Sequence, residues 1–497
     1  MTTTPPTAER RGHSTTLSSP EVVRTNNPDT PTLHTDRARF YGTTAVTATI
    51  AAVYVLFVAH YSINVIFWDE WDSVPIVHAA LHSHLTLSAL WAQHNENRIL
   101  LPNLVVVASA LVEHYNSKSI ILLGAFSFVA SFVILLVIFR HYLRHALTPI
   151  HVLTLGVVWF SLEDTENSLW AFQLAWYLIV IFLLAMIFLL APQRRHRNLV
   201  VAGAALFAIA ASMSSLQGLL LWPVGLICLL WSRTRERRLI IECAVWLVMC
   251  GITAALYFHN FNFQTTGSSP GFALRHPFGM AKFFLASLGN VVPTTHSNLR
   301  IHELIGAVVF IGATFVVVQS FRDKTMRDRN PLPIALISFG VLFDGSIVLG
   351  RISFGIGEAL SPRYTMANLL VLTGIVVFAW GYSRPTTHLT RHAVRPTTAR
   401  RVGFILLGLF LVVQVVDGTA YGISSGRTYR QNRLTAARIV VNLDRIPGPE
   451  QQRLAASYVF PNVTALRPFL QEARSDNLSV FAPGPYRFYR LQGPPST

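Results

Sequence analysis

The sequence predicts an all-α protein that crosses a membrane many times. Apolar residues make up 52% of its 497 residues and charged residues only 13%, against roughly 25% charged residues in a soluble domain. The apolar residues are concentrated in runs of the length that a helix needs to cross hydrocarbon about 30 Å thick. Such a chain cannot bury its apolar surface in water, which excludes a soluble globular fold.

Eleven apolar runs are interpreted as transmembrane helices, because a helix satisfies its own backbone hydrogen bonds in lipid. They span residues 43–64, 119–139, 148–162, 172–191, 199–213, 215–231, 239–258, 303–321, 331–349, 366–382 and 402–419. Two further segments are ambiguous: 99–113 is short and follows a polar stretch, and Lys282 interrupts 277–292. We expect both to lie along the outer face without crossing.

The net charge of +16 is interpreted as a topological signal rather than as a nucleic-acid-binding surface. Basic residues near helix ends are enriched on the cytoplasmic side of a membrane. With the N-terminus inside and eleven crossings, all the basic clusters are cytoplasmic. These clusters lie in the N-terminal arm and at 140–144, 194–197, 233–238, 322–329 and 384–401. Crossing by either ambiguous segment alone would break this pattern.

The chain divides into three regions. Residues 1–40 are rich in Thr and Pro and predict a disordered cytoplasmic arm rather than a signal peptide. Residues 41–421 form the transmembrane domain, in which 65–98 is the first external loop and 99–113 a juxtamembrane segment. Residues 422–497 predict a small external appendage with one amphipathic stretch at 463–474. The three cysteines all lie in apolar runs and predict neither a disulfide framework nor a metal site.

The first external loop contains the most unusual motif, WDEWD, in which Asp69, Glu70 and Asp72 lie around Trp71 and after Trp68. Crowded carboxylates beside apolar rings favour protonation, which suits one of them to act as a base near neutral pH. The alternative is an interfacial anchor, with tryptophan at the membrane boundary and the acids facing water. Asp69 and Asp72 could also bind Mg²⁺ or Mn²⁺. The histidines of this loop show no convincing ligand spacing: His78, His82, His84 and His94.

Further polar residues of the predicted external loops are candidate substrate-binding residues. They are Glu96 and Arg98 in HNENR, then Glu163, Glu166, Trp170 and Gln173 in the next loop, Gln217 in SLQG, and Glu358 in the last loop. Helical spacing sets the second group on one face. Each group has a structural alternative: a surface ion pair at 96–98, a solvated helix cap at 163–166, and a tight turn at 214–218.

Arg351, Arg363 and Tyr364 lie in the last predicted membrane loop, on the outer side. External arginines in a short loop need an anionic partner, and a lipid phosphate fits the guanidinium fork. Pairing with the external acids is the alternative. Asp344 lies inside an apolar run, so we expect it to face a cavity or a partner group.

The motifs WDEWD, HNENR, ENSLWAFQ, SLQGLLLWPVGL and SPRYT resemble those of a mostly uncharacterised bacterial group in the GT-C superfamily of membrane glycosyltransferases. The resemblance implies a GT-C-like bundle in the cell membrane that transfers sugar from a polyprenyl-phosphate donor, at the outer face, to a cell-envelope glycan, glycolipid or protein. It implies that Asp69 and Glu70, with Asp72 as a further candidate, supply the catalytic base or a metal-linked acid, and that Arg363 and Tyr364 contact the donor phosphate. NRILLPN replaces the KPPL-type segment of other branches, so the acceptor is not implied.

Two other functions remain open. A transporter, flippase or ligase-like protein could handle the same lipid-linked sugar without a carboxylate base, but ion-coupled transport would place ionisable residues at the membrane midplane. Here they cluster at one face, with Asp344 as the main exception. A non-catalytic scaffold would leave Asp69, Glu70 and Arg363 far apart. The chain contains no Walker loop, HExxH motif or nucleophile elbow.

Overall fold

The computed structural model of the chain is almost entirely helical. It describes residues 2, 33–191, 197–231, 237–263, 270–292, 298–382 and 398–484. The helices of the first half are α1 (Leu33–Tyr61), α2 (Val74–Leu81), α3 (Leu87–Leu90), α4 (Leu100–Glu113), α5 (Ser117–Leu143), α6 (Pro149–Trp159), α7 (Thr165–Leu169), α8 (Leu174–Leu190), α9 (Arg197–Ser212) and α10 (Leu221–Leu230). A two-stranded antiparallel hairpin, β1 (Gln93–His94) and β2 (Asn97–Arg98), precedes α4.

The second half continues the helical pattern. Its helices are α11 (Arg237–Phe258), α12 (Pro270–Arg275), α13 (Pro277–Leu288), α14 (Leu299–Arg322), α15 (Lys324–Arg327), α16 (Leu332–Arg351), α17 (Thr365–Tyr382), α18 (Thr398–Val413), α19 (Thr419–Asn442), α20 (Gly448–Tyr458) and α21 (Val463–Ser475). A short π-helical segment, Gln414–Gly418, joins α18 to α19 without a break. The amphipathic stretch predicted at 463–474 is confirmed as α21.

Eight helical segments in the described residues are long and apolar enough to span a membrane. They are Arg37–Tyr61, Ser117–Leu143, Ala171–Leu190, Arg237–Phe258, Leu299–Arg322, Leu332–Phe354, Pro362–Tyr382 and Ile405–Arg445. Shorter apolar helices occur at Leu100–Glu113, Pro149–Trp159, Leu199–Ser212, Leu216–Leu230 and Pro277–Leu288. The chain is therefore an all-α polytopic membrane protein, as its composition predicts.

The connections between these helices meet at two ends of the bundle. At one end, here called the basic end, Arg144 donates to the carbonyl of Asp328 at 2.6 Å and Trp231 donates to the carbonyl of Arg329 at 3.0 Å. At the other end, here called the polar end, the hairpin and the loops after α6, α9, α11 and α16 come together. Ser161, for example, donates to Gln414 at 2.7 Å there.

The ambiguous segments of the sequence are α4 and α13, and both begin and end at the polar end. In α4, the amide of Leu101 donates to Met213, and its C-terminus leads to Ser117 beside Glu70. In α13, the N-terminus packs near Ile352, and Asn290 just beyond its C-terminus donates to Ser361. Residues at both ends of each segment therefore make contacts at the polar end.

The structure differs from the predicted region boundaries at both ends of the chain. Helix α1 begins at Leu33, so the last residues of the predicted arm 1–40 are helical, whereas 3–32 lie outside the described residues. The predicted basic clusters at 194–197, 233–238 and 384–401 lie largely outside them as well. The boundary predicted at 421/422 falls inside α19.

The C-terminal helices α19–α21 pack on the loop at 65–98 rather than standing apart from it. The amide of Trp68 donates to Val459 at 2.9 Å, and the amide of Ser479 donates to His114 at 2.7 Å. Leu466 and Leu470 of α21 belong to the same buried apolar cluster as the transmembrane helices. The expected external appendage is thus part of the main core, because its amphipathic helix buries its apolar face there.

Candidate functional site

The WDEWD motif folds as one 3₁₀-helical segment, Trp68–Ser73. Residues three apart share a face of a 3₁₀ helix, so Asp69 and Asp72 lie together and Glu70 points elsewhere. Trp68 has a positive φ of 49°, which is costly for a bulky side chain and has to be held by surrounding contacts. The hydrogen bond from the Trp68 amide to Val459 is one such contact.

Glu70 is buried beneath this turn, away from solvent. It is 3% exposed and accepts a hydrogen bond from the Ser117 hydroxyl at 3.0 Å. Burial raises the pKa of Glu70 to about 7, and the nearby charge of Arg433 offsets only part of that effect. Arg433 is itself buried and lies over the ring of Phe67. Glu70 therefore links the first loop to Ser117 at the start of α5 and to Arg433 of α19.

The hairpin presents the HNENR motif to the same region. Asn95 begins its turn with φ of 50°, a left-handed conformation that asparagine tolerates well. Arg98 is buried and donates to the carbonyl oxygens of Trp91, Tyr257 and His259 at 2.6–2.7 Å. Carbonyl groups at the end of a helix attract a cation. Arg98 therefore anchors the hairpin to the end of α11, and it forms no ion pair with Glu96 among the described residues.

A cavity of about 120 Å³ lies between the first loop, the hairpin and the loop after α16. Eight of the predicted site residues line it: Asp69, Glu96, Trp170, Gln173, Gln217, Arg351, Arg363 and Tyr364. Asn95, Asn97, Trp176, Ser215 and Ser346 also line it and were not predicted. Six predicted residues are not among its lining residues: Glu70, Asp72, Arg98, Glu163, Glu166 and Glu358. The cavity thus combines two carboxylates, two guanidinium groups, amides and indole rings.

Both arginines of the cavity are paired with carboxylates. Arg351 lies 3.0 Å from Oε2 of Glu96. Arg363 contacts Glu358 and lies 3.5 Å from Oε1 of Glu166, so one guanidinium lies between two acids. The alternative of pairing with external acids is therefore the arrangement seen here. It also keeps both cations in place at the cavity wall.

The loop that carries Arg363 is held by specific backbone features. Gly355 has φ of 103°, a conformation that side chains other than glycine rarely adopt. Asn167 donates to the carbonyl of Arg363 at 2.8 Å, and Tyr364 donates to Glu358 at 3.2 Å. Helix α7 and the loop after α16 are therefore fixed to each other beside the cavity.

Asp69 and Asp72 form a candidate metal site together with His94, which showed no ligand spacing in the sequence. Nε2 of His94 lies 3.9 Å from Asp69, and its Nδ1 lies 3.6 Å from Asp72. One donor atom from each of the three lies within 4.8 Å of the others. Burial raises the pKa of Asp72, which His94 opposes and Asp69 reinforces. The sequence spacing of the loop histidines did not indicate this cluster, because only the hairpin folds His94 back onto the 3₁₀ turn.

A second group of acids lies buried behind Arg363, in the loop from α6 to α7. Glu163 and Asp164 are 4% and 3% exposed. Burial raises the pKa of Glu163 to about 8, against the lowering effect of Gln414, and raises that of Asp164 well above its usual range. Glu166, the third, has its pKa raised by burial despite Arg363. The alternative of a solvated helix cap does not fit Glu163 and Asp164, since both carboxyl groups are buried.

Asp344 lies within α16 and does not line the cavity. It is fully buried and accepts a hydrogen bond from Ser287 at 2.9 Å. Its partner is thus a side chain of α13, as expected for an acid in an apolar run. This contact helps to fix α13 against α16 behind the polar end.

Comparison with known proteins gives no match to a protein-family model, to a curated protein or to a solved structure. What the site can do therefore follows from its own residues.

Proposed function

We propose that the protein transfers a sugar from a polyprenyl-phosphate donor to an acceptor hydroxyl of the cell envelope. The observation that carries this proposal is the cavity that brings Asp69 together with Arg351 and Arg363. A base and two phosphate-binding cations in one cavity are what the transfer requires. The indole rings of Trp170 and Trp176 on the same wall suit a sugar ring.

The reaction is a single displacement. Asp69 takes the proton of the acceptor hydroxyl while that oxygen attacks the anomeric carbon. The bond between the anomeric carbon and the phosphate oxygen breaks, the configuration inverts, and polyprenyl phosphate leaves. Arg363 and Arg351 stabilise the negative charge on the departing phosphate. The lipid phosphate is the leaving group, so no nucleotide is needed.

Two acids beside the arginines, Glu166 and Glu96, have properties that would favour binding of the donor. Since burial raises the pKa of Glu166, this carboxyl can take a proton when a phosphate arrives and so release Arg363 to it. Oε1 of Glu96 is buried and has no hydrogen-bond partner among the described residues. It can therefore accept a hydrogen bond from a sugar hydroxyl, which relieves the cost of an unpaired buried oxygen.

A divalent ion would fit at Asp69, Asp72 and His94. Two carboxylates suit Mg²⁺ or Mn²⁺, and the imidazole favours a transition ion such as Mn²⁺ over Mg²⁺. When bound there, the ion would supply positive charge beside the reacting groups. Asp69 would then be a metal ligand, and its role as base would depend on its second oxygen.

We further propose eleven crossings, with the N-terminus in the cytoplasm and the cavity at the outer face. The contacts at the basic end support this arrangement, because they join the predicted cytoplasmic loops after α5, α10 and α14. Short apolar helices such as α6 connect the two ends, whereas α4 and α13 stay at the polar end. The lipid of the donor would lie in hydrocarbon while its sugar reaches the cavity.

The sharpest test compares two amide substitutions in one motif, Asp69→Asn and Glu70→Gln. Each replaces a carboxyl group by an amide of the same shape, but only Asp69 lines the cavity. We expect D69N to lower transfer by at least about 10³-fold, while E70Q changes mainly thermal stability. Purified protein in detergent is incubated with a panel of polyprenyl-phosphate sugars, and sugar release is measured together with the Tm of each variant.

Full turnover by D69N would contradict the assignment of the base. Donor binding without any sugar release by the wild-type protein, together with movement of the lipid-linked sugar across vesicles, would favour the transporter or flippase instead. Loss of activity in E70Q at unchanged Tm would indicate that Glu70, rather than Asp69, is the base.

A further inference from the structure

A second group of metal-binding side chains lies away from the cavity, where the first loop meets the C-terminal helices. His78 lies on α2 and His82 follows that helix, so their rings share a face with centroids 4.4 Å apart. Asp476 follows α21 and bridges them. Its Oδ2 lies 2.7 Å from Nδ1 of His78, and its Oδ1 lies 3.0 Å from Nε2 of His82.

We propose that His78, His82 and Asp476 bind a divalent transition metal ion, with Zn²⁺ as the best match. One donor atom from each of these residues lies within 4.8 Å of the others. Two imidazole nitrogens and one carboxylate oxygen are a donor set that zinc favours, whereas Mg²⁺ and Ca²⁺ favour oxygen alone. The aspartate also supplies negative charge to balance the ion.

The spacing of the donors suits a small tetrahedral ion. Bonds of about 2.0–2.1 Å place neighbouring donors of a tetrahedral site about 3.3 Å apart. The contacts of 2.7 and 3.0 Å run to different oxygens of Asp476, so an ion held by one of these oxygens needs a change in the distance from that oxygen to one imidazole, within a group whose donor atoms all lie within 4.8 Å. Rotation of the two exposed imidazole rings can supply that change without moving either helix.

One ligand of this group is buried, and the other two are accessible to solvent. The side chain of Asp476 is 4% exposed, so its carboxylate is held in place, whereas those of His78 and His82 are 37% and 53% exposed. A metal ion can therefore enter from solvent, and water can fill a fourth position. A site with three protein ligands and one water is a common zinc arrangement.

The bound ion would tie together parts of the chain that are 398 residues apart. Helix α2 directly follows the 3₁₀ segment that carries Asp69, and α21 belongs to the C-terminal helices. A ligand that binds only the folded protein stabilises it. We therefore expect Zn²⁺ to raise the Tm of the protein by fixing the first loop on α21. This inference does not depend on sugar transfer.

The test uses the full-length protein in detergent, stripped of metal and free of any histidine tag. ZnCl₂ is titrated while binding stoichiometry and Tm are measured, and CoCl₂ provides an absorption spectrum that reports tetrahedral coordination. His82→Ala removes a half-exposed ligand with little effect on folding, and Asp476→Asn tests the carboxylate. His84→Ala is the matched control, two residues along on the same exposed loop, and His94→Ala removes the cluster at the cavity.

We expect wild type, H84A and H94A to keep the Zn²⁺-dependent rise in Tm and the cobalt spectrum. In the H94A background, which lacks the cluster at the cavity, H82A and D476N should weaken Zn²⁺ binding by at least about tenfold and lose both signals. Absence of Zn²⁺ binding at micromolar concentration in wild type would overturn the proposal and leave a histidine–aspartate hydrogen-bonded contact only. Retention of the signals when H82A is combined with H94A, or their loss in H94A alone, would overturn it as well.

Discussion

At the scale of single residues, burial controls the charge of the acids behind the cavity. Glu163 is the clearest case, because its carboxyl is buried among polar groups that leave Oε2 without a partner in the described residues. Its pKa rises from 4.5 to about 8 on folding. The folded protein therefore holds the proton of Glu163 at pH values where the unfolded chain has released it.

This difference predicts a pH-dependent effect of Glu163→Gln on stability. The folded state binds more protons than the unfolded state, so stability is greatest below about pH 4.5 and falls as the pH rises towards 8, by at most about 1.4 kcal/mol per pH unit from this group. Glutamine mimics the protonated carboxyl. The Tm advantage of E163Q over wild type should therefore be near zero at about pH 4.5 and largest at about pH 8.

Thermal unfolding of both proteins across this pH range checks the prediction. Asp328→Asn, which changes an exposed carboxylate at the basic end, is the control. An E163Q advantage that stays constant with pH, or that grows towards acid, would show that Glu163 is ionised in the folded protein.

At the scale of elements, the polar end depends on the close crossing of α13 and α14. Gly289 and Gly306 face each other there, and a Cβ on Gly306 would overlap the carbonyl oxygen of Leu285. Small residues allow such backbone approaches between membrane helices. The crossing also fixes Asn290, which donates to Ser361 in the loop before Arg363.

Two alanine substitutions on α14 test this crossing. Gly306→Ala forces two backbones apart and should cost about 2 kcal/mol or more. Gly312→Ala on the same helix meets only the end of the Ile375 side chain at 3.4 Å, and alanine favours a helix over glycine by up to about 1 kcal/mol. The Tm of G306A should fall clearly, while that of G312A should stay level or rise. Equal Tm values would argue against the close crossing.

Site residues that are close in the sequence could be grouped by their spacing, whereas residues that are far apart in the sequence could not. Their spacing alone places Asp69 and Asp72 on one face of a helical turn and Glu70 on another face. Which face of the turn meets the cavity depends on the hairpin and on Arg433, and no local pattern reports those contacts. The same holds for His78 and His82, whose spacing alone did not indicate a ligand pair, because Asp476, which completes the group, comes from the far end of the chain.

At the scale of the whole molecule, the fold was more predictable than the site. A run of about 20 apolar residues leaves a chain in lipid few choices besides a helix, and each predicted run is helical in the structure over most of its length. Helix ends were less predictable, because apolar character does not mark where a helix continues beyond the hydrocarbon. Helix α19 shows this, since it continues from the membrane segment into polar sequence at Arg427 and Arg430.

The sidedness of the bundle gives the last prediction. The basic end contains Arg144, Lys324 and Arg329, whereas the polar end contains the cavity. Because basic residues resist translocation, we expect the basic end in the cytoplasm. In a background with Cys228, Cys243 and Cys250 replaced by alanine, Ser88→Cys at the polar end and Lys324→Cys at the basic end each provide one exposed thiol.

A maleimide that cannot cross membranes should label S88C in intact cells, and K324C only after permeabilisation. Both sites are exposed, so access to the reagent rather than burial decides the result. Labelling of K324C in intact cells with protection of S88C would show that the protein has the opposite orientation. The cavity would then face the cytoplasm, where soluble nucleotide-linked sugars could reach it, and the need for a lipid-linked donor would disappear. The labelling pattern thus tests the physical premise on which a polyprenyl-phosphate donor depends.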